Sequence, residues 1–430
     1  MMNFKRLWLH GKVRLLKNLI HTVSHLRLFI RWLILSLTAG LAIGGIGSLF
    51  ALCMTKAVGL RTEHPWIMFL LPLGGIAIIL LYKVFKYQND RGTNMVIASI
   101  HAQGEIPWKM APMIFISTVI THLVGGSAGR EGAALQMGGS LGAVMGRKLK
   151  MCDTDRRVLV MCGMSAVFSA GFGTPLAAAI FAMEVGSVGV MYYAALVPCV
   201  ISSVTAWKLA QFAGVEHDNF ALAVFPEMSI AGSLKIVLLG VLCAFISVIF
   251  CKTLHKTNDI LKKYLPNPYI RISAAGVFLI AVSLILGNQN FLGAGVPMIE
   301  RALEGDTEWY AFILKIICTA ITIEAGFKGG EIVPSFFIGA TFGCLFGQLM
   351  GFSPELCAAV GMVAIFCGVT NCPITSLLIG FEMFGFQQPA YILIGVAVSY
   401  MLSGYYGLYR DQKIVYSKYE PKYINRHTKN

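Results

Sequence analysis

Four stretches of the chain, Leu33 to Cys53, Ile67 to Val84, Ser233 to Cys251 and Ile272 to Gly287, run apolar with almost no charge. Each is long enough to cross a hydrocarbon layer about 30 Å thick as a helix. Other apolar runs stop short. Pro373 to Gly385 is bracketed by Gly, Pro and Asn, a pattern that predicts a half-membrane or tilted helix whose ends lie inside the protein. Glycines recur every four residues at Gly138, Gly142 and Gly146, and again at Gly339, Gly343 and Gly347. That spacing puts small residues on one helix face and predicts close helix packing. The expected class is an all-α integral membrane protein with tilted and discontinuous helices.

The chain also repeats itself. Gly125-Gly126-Ser127-Ala128-Gly129-Arg130-Glu131-Gly132 corresponds to Ala325-Gly326-Phe327-Lys328-Gly329-Gly330-Glu331-Ile332. Gly92-Thr93-Asn94-Met95 corresponds to Gly293-Ala294-Gly295-Val296, and Gly163-Met164-Ser165-Ala166-Val167-Phe168 to Gly361-Met362-Val363-Ala364-Ile365-Phe366. Pro175 with Glu184 and Pro373 with Glu382 keep the same nine-residue spacing. A nearly constant offset over several matches marks a true internal repeat. The expected boundaries are 1–32 for an N-terminal cytoplasmic helix, 33–215 and 230–409 for the two repeats, 216–229 for the connecting loop and 410–430 for a C-terminal tail. Self-similarity alone leaves open whether the halves are parallel or inverted.

Composition supports the membrane reading, with 56% hydrophobic and only 13% charged residues in 430, far from the quarter or so charged in soluble domains. A formal net charge of +14 raises the question of nucleic acid. The basic residues, however, cluster beside the apolar spans: Lys5, Arg6, Lys12, Arg14, Lys17, Arg27 and Arg31 before the first, and Lys413, Lys418, Lys422, Arg426 and Lys429 after the last. By the positive-inside rule both termini are cytoplasmic, and no nucleic-acid partner is expected. Some thirty mixed residues, including His21 and His25, precede the first span, which is unlike a cleavable signal peptide. They suggest an amphipathic helix. Eleven cysteines without a Cys-x-x-Cys pair predict neither a disulfide framework nor a metal site, and the lack of GxxxxGK[ST] argues against an ATP-driven pump. No cofactor is expected.

Four helix starts lie in apolar surroundings, after Gly92-Thr93-Asn94, Gly129-Arg130-Glu131, Gly293-Ala294-Gly295 and Gly329-Gly330-Glu331. A helix start presents unpaired N–H groups and the positive end of the helix dipole, which together attract an anion. Glu131 stands where such an anion would sit. Its carboxylate would compete with the anion until protonated, acting as a gate; equally, it fits a helix-start carboxylate held by the dipole, or an ion pair with Arg130. Glu131 and Glu331 as the acid/base pair of a membrane enzyme is a rival reading, but no nucleophile motif or metal set accompanies them.

These motifs resemble the CLC family of chloride channels and anion/proton antiporters. Gly129-Arg130-Glu131-Gly132 is similar to its Gly-Arg-Glu-Gly-Pro motif, with Ala133 for proline, and Gly330-Glu331-Ile332-Val333-Pro334 to its Gly-x-Phe-x-Pro motif, with Ile332 for phenylalanine. Gly407-Leu408-Tyr409 fits the family's pore tyrosine. The resemblance spans residues 33 to 410. It implies two inverted-topology repeats and a homodimer with a separate pore in each subunit, working in the cell's plasma membrane.

Where most members carry Gly-Ser-Gly-Ile-Pro, this chain has Gly92-Thr93-Asn94-Met95, which departs from the usual chloride site and is similar to the fluoride-exporting branch. By that resemblance Glu131 is the gating and proton-carrying glutamate, Glu331 assists proton transfer, and the anion path involves Thr93, Asn94, Met95, Gly129, Arg130, Gly132, Gly330, Ile332, Val333 and Tyr409. Fluoride or chloride, with protons, are the expected partners, and fluoride/proton antiport the expected activity, with a chloride channel or chloride/proton antiporter as the alternative. Val185 stands where many chloride/proton antiporters have an internal proton glutamate, and its presence fits the fluoride branch. Val333 stands where some fluoride exporters have a threonine able to bond the glutamate, so Lys328 is a candidate partner for Glu331. The family's cytoplasmic nucleotide-sensing pair is not expected after Tyr409.

Overall fold

The computed structural model describes residues 2–87, 90–101, 104–217, 226–386 and 389–428, with the backbone alone for 2–20. Sixteen α-helices fall into two sets of eight among these residues. The first set is α1 (Met2–Glu63), α2 (Leu71–Val84), α3 (Thr93–Ile100), α4 (Met110–Val124), α5 (Glu131–Lys148), α6 (Asp153–Phe172), α7 (Pro175–Glu184) and α8 (Leu196–Phe212). The second is α9 (Ile230–Tyr264), α10 (Pro268–Leu286), α11 (Val296–Leu303), α12 (Ala311–Ala325), α13 (Ile332–Met350), α14 (Pro354–Thr370), α15 (Pro373–Phe384) and α16 (Pro389–Leu402). Member for member they correspond, and they pack alike: α5 on α6 as α13 on α14, α1 on α8 as α9 on α16. Across the halves, α2 packs on α10 and α7 on α15.

The repeats are inverted. Arg61 and Thr62 at the end of α1 line one cavity, whereas His255, Asn258 and Lys262 at the end of α9 line another, as inverted repeats require. Among the described residues, six helical segments are long and apolar enough to cross a membrane, including Tyr193–Phe212 and Ile332–Met350, whose apolar character the sequence pattern left unmarked. Pro373–Phe384 has 12 residues, about 18 Å at 1.5 Å per residue, short of a full span; its last two residues are buried, but Phe386 just beyond them is exposed.

The glycine series packs helices. A methyl on Gly138 would stand 2.2 Å from the Gly163 carbonyl oxygen, and one on Gly339 2.3 Å from that of Gly361. Such contacts allow only hydrogen, which is why the backbones of α5 and α6, and of α13 and α14, approach so closely.

The structure adds detail at two of the expected boundaries. Residue 33 falls in the middle of α1, a single helix of 62 residues, because nothing between the basic stretch and the apolar one breaks helical geometry. The basic side chains of residues 5–17 lie outside the described residues, as does Lys429 and, within the expected 216–229 loop, the segment 218–225. The C-terminal segment carries regular structure. Strands β2 (Lys413–Tyr416) and β3 (Tyr423–His427) form a hairpin that adds to β1 (Ser187–Val188) in a three-stranded sheet. The Gln412 amide anchors it by donating to the carbonyls of Val185 (2.9 Å) and Thr370 (2.7 Å).

Candidate functional site

The loops before α5 and α13 meet antiparallel. Gly129 and Gly330 donate to each other's carbonyl oxygens, both at 2.7 Å. The approach is so close that a methyl on Gly330 would lie 2.4 Å from the Gly132 nitrogen, and one on Gly132 2.8 Å from the Gly330 Cα. Each half also satisfies a loop N–H of the other: Thr322 Oγ1 accepts from Ser127 N and Thr121 Oγ1 from Lys328 N, both at 3.2 Å. These pairings obey the repeat and place the two glutamates at one junction.

The glutamates face different cavities. Glu131, only 3% exposed, lines a cavity of about 680 Å³ together with Arg130 and Val333. Its Oε2 accepts from the Arg130 backbone N–H at 3.0 Å, and Oε1 lies 3.6 Å from Arg130 Nε. The carboxylate is thus folded back on its own helix start, beside the Arg130 guanidinium. Glu331 lines a second cavity, of about 500 Å³, with Thr93, Asn94 and Tyr409.

Asn94 Oδ1 accepts from Asp411 N at 3.1 Å, which leaves the NH2 end of the amide as a donor toward other groups. The Thr93 hydroxyl accepts from Gln136 Nε2 at 3.1 Å. The Tyr409 hydroxyl is buried and has no protein hydrogen-bond partner; its backbone carbonyl is fixed by the hydroxyl of Thr428 at 2.7 Å. The C-terminal hairpin therefore sets where the tyrosine stands.

Not every expected residue converges here. Met95 turns to Tyr87, whose hydroxyl donates to its sulfur at 3.6 Å. Ile332 is fully enclosed in the core. Val333 lies beside Glu131 rather than Glu331: a methyl on Gly129 would touch Glu131 Oε2 at 2.7 Å and Val333 Cβ at 3.2 Å. Lys328 does not pair with Glu331. Its Nζ lies 2.8 Å from Asp90 Oδ2, because Asp90 is held in reach by accepting from Gly92 N at 2.9 Å and Tyr82 Oη at 3.2 Å. Burial works to raise the Asp90 carboxyl, but Lys328 and these donors outweigh it and hold the group below the ordinary carboxylate value.

Several site residues were missed from the sequence. Asp90 was signalled only by its place two residues before Gly92, a turn-forming spacing. Gln136 looked like an ordinary polar residue in a glycine-rich helix. Arg61, Lys315 and Glu324 are charges in or beside apolar runs, the one signal that marks an intramembrane ionisable group; Glu324 lines the Glu331 cavity and Arg61 the Glu131 cavity.

Residues 74–404 match the family described as voltage gated chloride channel. The chain is 33% identical over 396 residues to a chloride/fluoride channel protein of Pseudomonas syringae pv. tomato, a match covering 90% of this chain and 88% of that one. Among solved structures, a CLC-type fluoride/proton antiporter superposes with a TM-score of 0.85 at 30% identity, covering 89% of this chain and 98% of that one. A slow cyanobacterial Cl-/H+ antiporter shares the fold, with a TM-score of 0.72 at 20% identity over 87% and 94% of the two chains. With inverted eight-helix repeats, paired glycine loops and these matches together, the chain belongs to the CLC, or voltage gated chloride channel, family.

Proposed function

We propose that this protein is a fluoride/proton antiporter that exports fluoride from the cell, works in the plasma membrane with both termini cytoplasmic, and assembles as a homodimer. The observation that carries the reading is the junction of two inverted helix starts, with Glu131 and Glu331 on opposite cavities. An anion crossing between the cavities must pass the helix-start N–H groups that Glu131 occupies when charged. Protonation removes that charge and frees the position, so each anion passage is tied to a proton.

Glu331 serves as the proton acceptor on the Tyr409 side. Thr93, Asn94, Gly129, Arg130, Gly132, Gly330, Val333 and Tyr409 border the anion path in this scheme, and Met95 and Ile332 support it from behind. Fluoride holds its water strongly, so a site that selects it must offer several short hydrogen bonds. The Asn94 NH2, the orphan Tyr409 hydroxyl and helix-start N–H groups are donors of that kind. The similarity to a fluoride/proton antiporter at 30% identity favours fluoride over chloride.

The test is anion efflux from liposomes containing the purified protein, with fluoride and chloride compared and external pH recorded in the same vessel. Fluoride efflux with stoichiometric proton uptake and little chloride is expected. Chloride efflux of equal size would assign the protein to chloride transport instead.

A further inference from the structure

Asp411 lines the inner cavity beside Asn94 and Tyr409, and it touches the start of α3 twice. Its Oδ2 accepts from Arg91 Nη2 at 2.5 Å, and its main-chain N–H donates to Asn94 Oδ1 at 3.1 Å. Those partners stand 320 and 317 residues earlier in the chain. A residue beyond the last helix therefore clamps the first turn of a helix in the other half.

The clamp is itself held firmly. Gln412, next in the chain and fully buried, bonds through its amide to the Val185 and Thr370 carbonyls, and its Oε1 accepts from Asn371 Nδ2 at 2.9 Å. Its main-chain carbonyl accepts from Thr428 N at 3.2 Å, which closes the hairpin over residue 411. Lys418, in the turn between β2 and β3, donates to the Tyr400 carbonyl at 3.0 Å, the Ser403 hydroxyl at 3.2 Å and Asn371 Oδ1. The hairpin is tied in this way to the ends of α14 and α16, and Asp411 has little freedom to shift.

This arrangement decides which end of Asn94 meets the cavity. A primary amide carries a donor end and an acceptor end of nearly equal size, so its own shape does not choose between them. A main-chain N–H can only donate. Asp411 thus keeps Oδ1 to itself and turns Nδ2 the other way, where no described residue accepts from it. If that N–H moved off, the amide could rotate and present its oxygen, which repels an anion. We propose that Asp411 is a positioning residue for anion recognition, holding the Asn94 amide with its NH2 toward the cavity by means of the Arg91 pair and its own main-chain N–H. The inference rests on the anion-transport reading above, with Asn94 as a donor on the path, and adds what orients that donor.

The role has a sign that charge alone does not give. Asp411 is a carboxylate on a cavity proposed to admit anions, so by Coulomb's law its removal should tighten anion binding. A positioning role predicts the opposite. The experiment is a double-mutant cycle in liposome efflux at graded sodium fluoride, or sodium chloride should the wild type carry chloride alone. Asp411→Ala is expected to raise half-saturation about fivefold, a larger change than in maximal rate. Asp411→Glu, whose carboxylate still reaches the exposed Arg91, is expected to recover most of that loss. In an Asn94→Ala background the same Asp411→Ala should weaken half-saturation by less than about twofold, because the amide it would orient is gone.

Tighter or unchanged half-saturation in Asp411→Ala overturns the inference. So does an equal loss in both backgrounds, the mark of a generally loosened fold. Should Asp411→Ala elute as aggregate, Asp411→Asn takes its place in the cycle with the same expected sign. A wild type that carries chloride alone sinks the fluoride reading while the cycle still decides the role of Asp411, and a wild type as tight as empty liposomes sinks both.

Discussion

The two glutamate loops descend from one repeated pattern, yet their surroundings have diverged. Glu131 follows an arginine and folds back against it, 3.6 Å from Nε, in a cavity that also contains the buried Arg61. Glu331 follows a glycine and looks into a cavity shared with Glu324, Asn94 and Tyr409. The first carboxylate sits directly beside a guanidinium, with Arg61 and Glu300 on the same cavity; the second shares its cavity with Glu324 and with Arg91, Lys262, Lys328 and Arg410. Symmetry of backbone with asymmetry of field is what a directional carrier needs, because the same proton-accepting group then answers differently to the two sides.

The strongest way to break the comparison is to part the loops. Gly330→Ala drives a methyl to 2.4 Å from the Gly132 nitrogen, a contact against backbone that no rotamer change relieves. Transport in liposome efflux is expected to fall to the level of empty liposomes. Gly171→Ala, where an added methyl meets nothing within 4 Å, should leave it intact. Equal activity of the two variants would mean the Gly129–Gly330 pairing is dispensable.

Next in size is the contrast between the carboxylates. Glu131→Gln is expected to cut coupled proton uptake about a hundredfold, the lower end of what a positioned proton carrier contributes, and Glu331→Gln, as a helper, less than that. Simultaneous pH and anion electrodes read both. A larger loss at Glu331 would reverse the assignment of gate and helper.

The smallest effect concerns the strut that aligns the loops. Asp90 touches Lys328 from the second half and the Gly92 N–H from the first. Asp90→Asn keeps the shape and removes the charge, so a loss of about 2 kcal/mol is expected from breaking a partly buried pair. Thermal unfolding in detergent measures it, and Lys328→Met on top of Asp90→Asn should add little further loss.

The repeat, the glycine seams and the helix starts were legible in the sequence because each depends on local spacing. Gly138 must meet a backbone, and its four-residue series announces that whichever backbone it is. Partners chosen across the fold were not legible. Lys328 stands three residues from Glu331 in the chain, yet its ion pair is with Asp90, since extended loop geometry separates what sequence places together. Arg61 and Lys315 announced a cost without naming what offsets it. The C-terminal hairpin was hidden for a different reason: its strands are only four and five residues long, and the Gln412 bonds to the carbonyls of Val185 and Thr370 that anchor it come from elsewhere in the fold.

Glu184 and Glu382 carry the reciprocity furthest. Glu382 accepts from the N–H groups of Leu176 (2.9 Å) and Ala177 (2.8 Å) at the start of α7, while Glu184 accepts from those of Ile374 (3.1 Å) and Thr375 (2.9 Å) at the start of α15. Each cap arrives on the other half of the chain. During synthesis at about 5 to 20 residues per second, the roughly 200 residues between a helix start and its cap take some 10 to 40 s to emerge. For that interval the first half sits in the membrane with exposed donors and no acceptor for them. The molecule behaves, in the time of its making, as a dimer whose second subunit is late, and a chain released at its midpoint has no completed state to wait in.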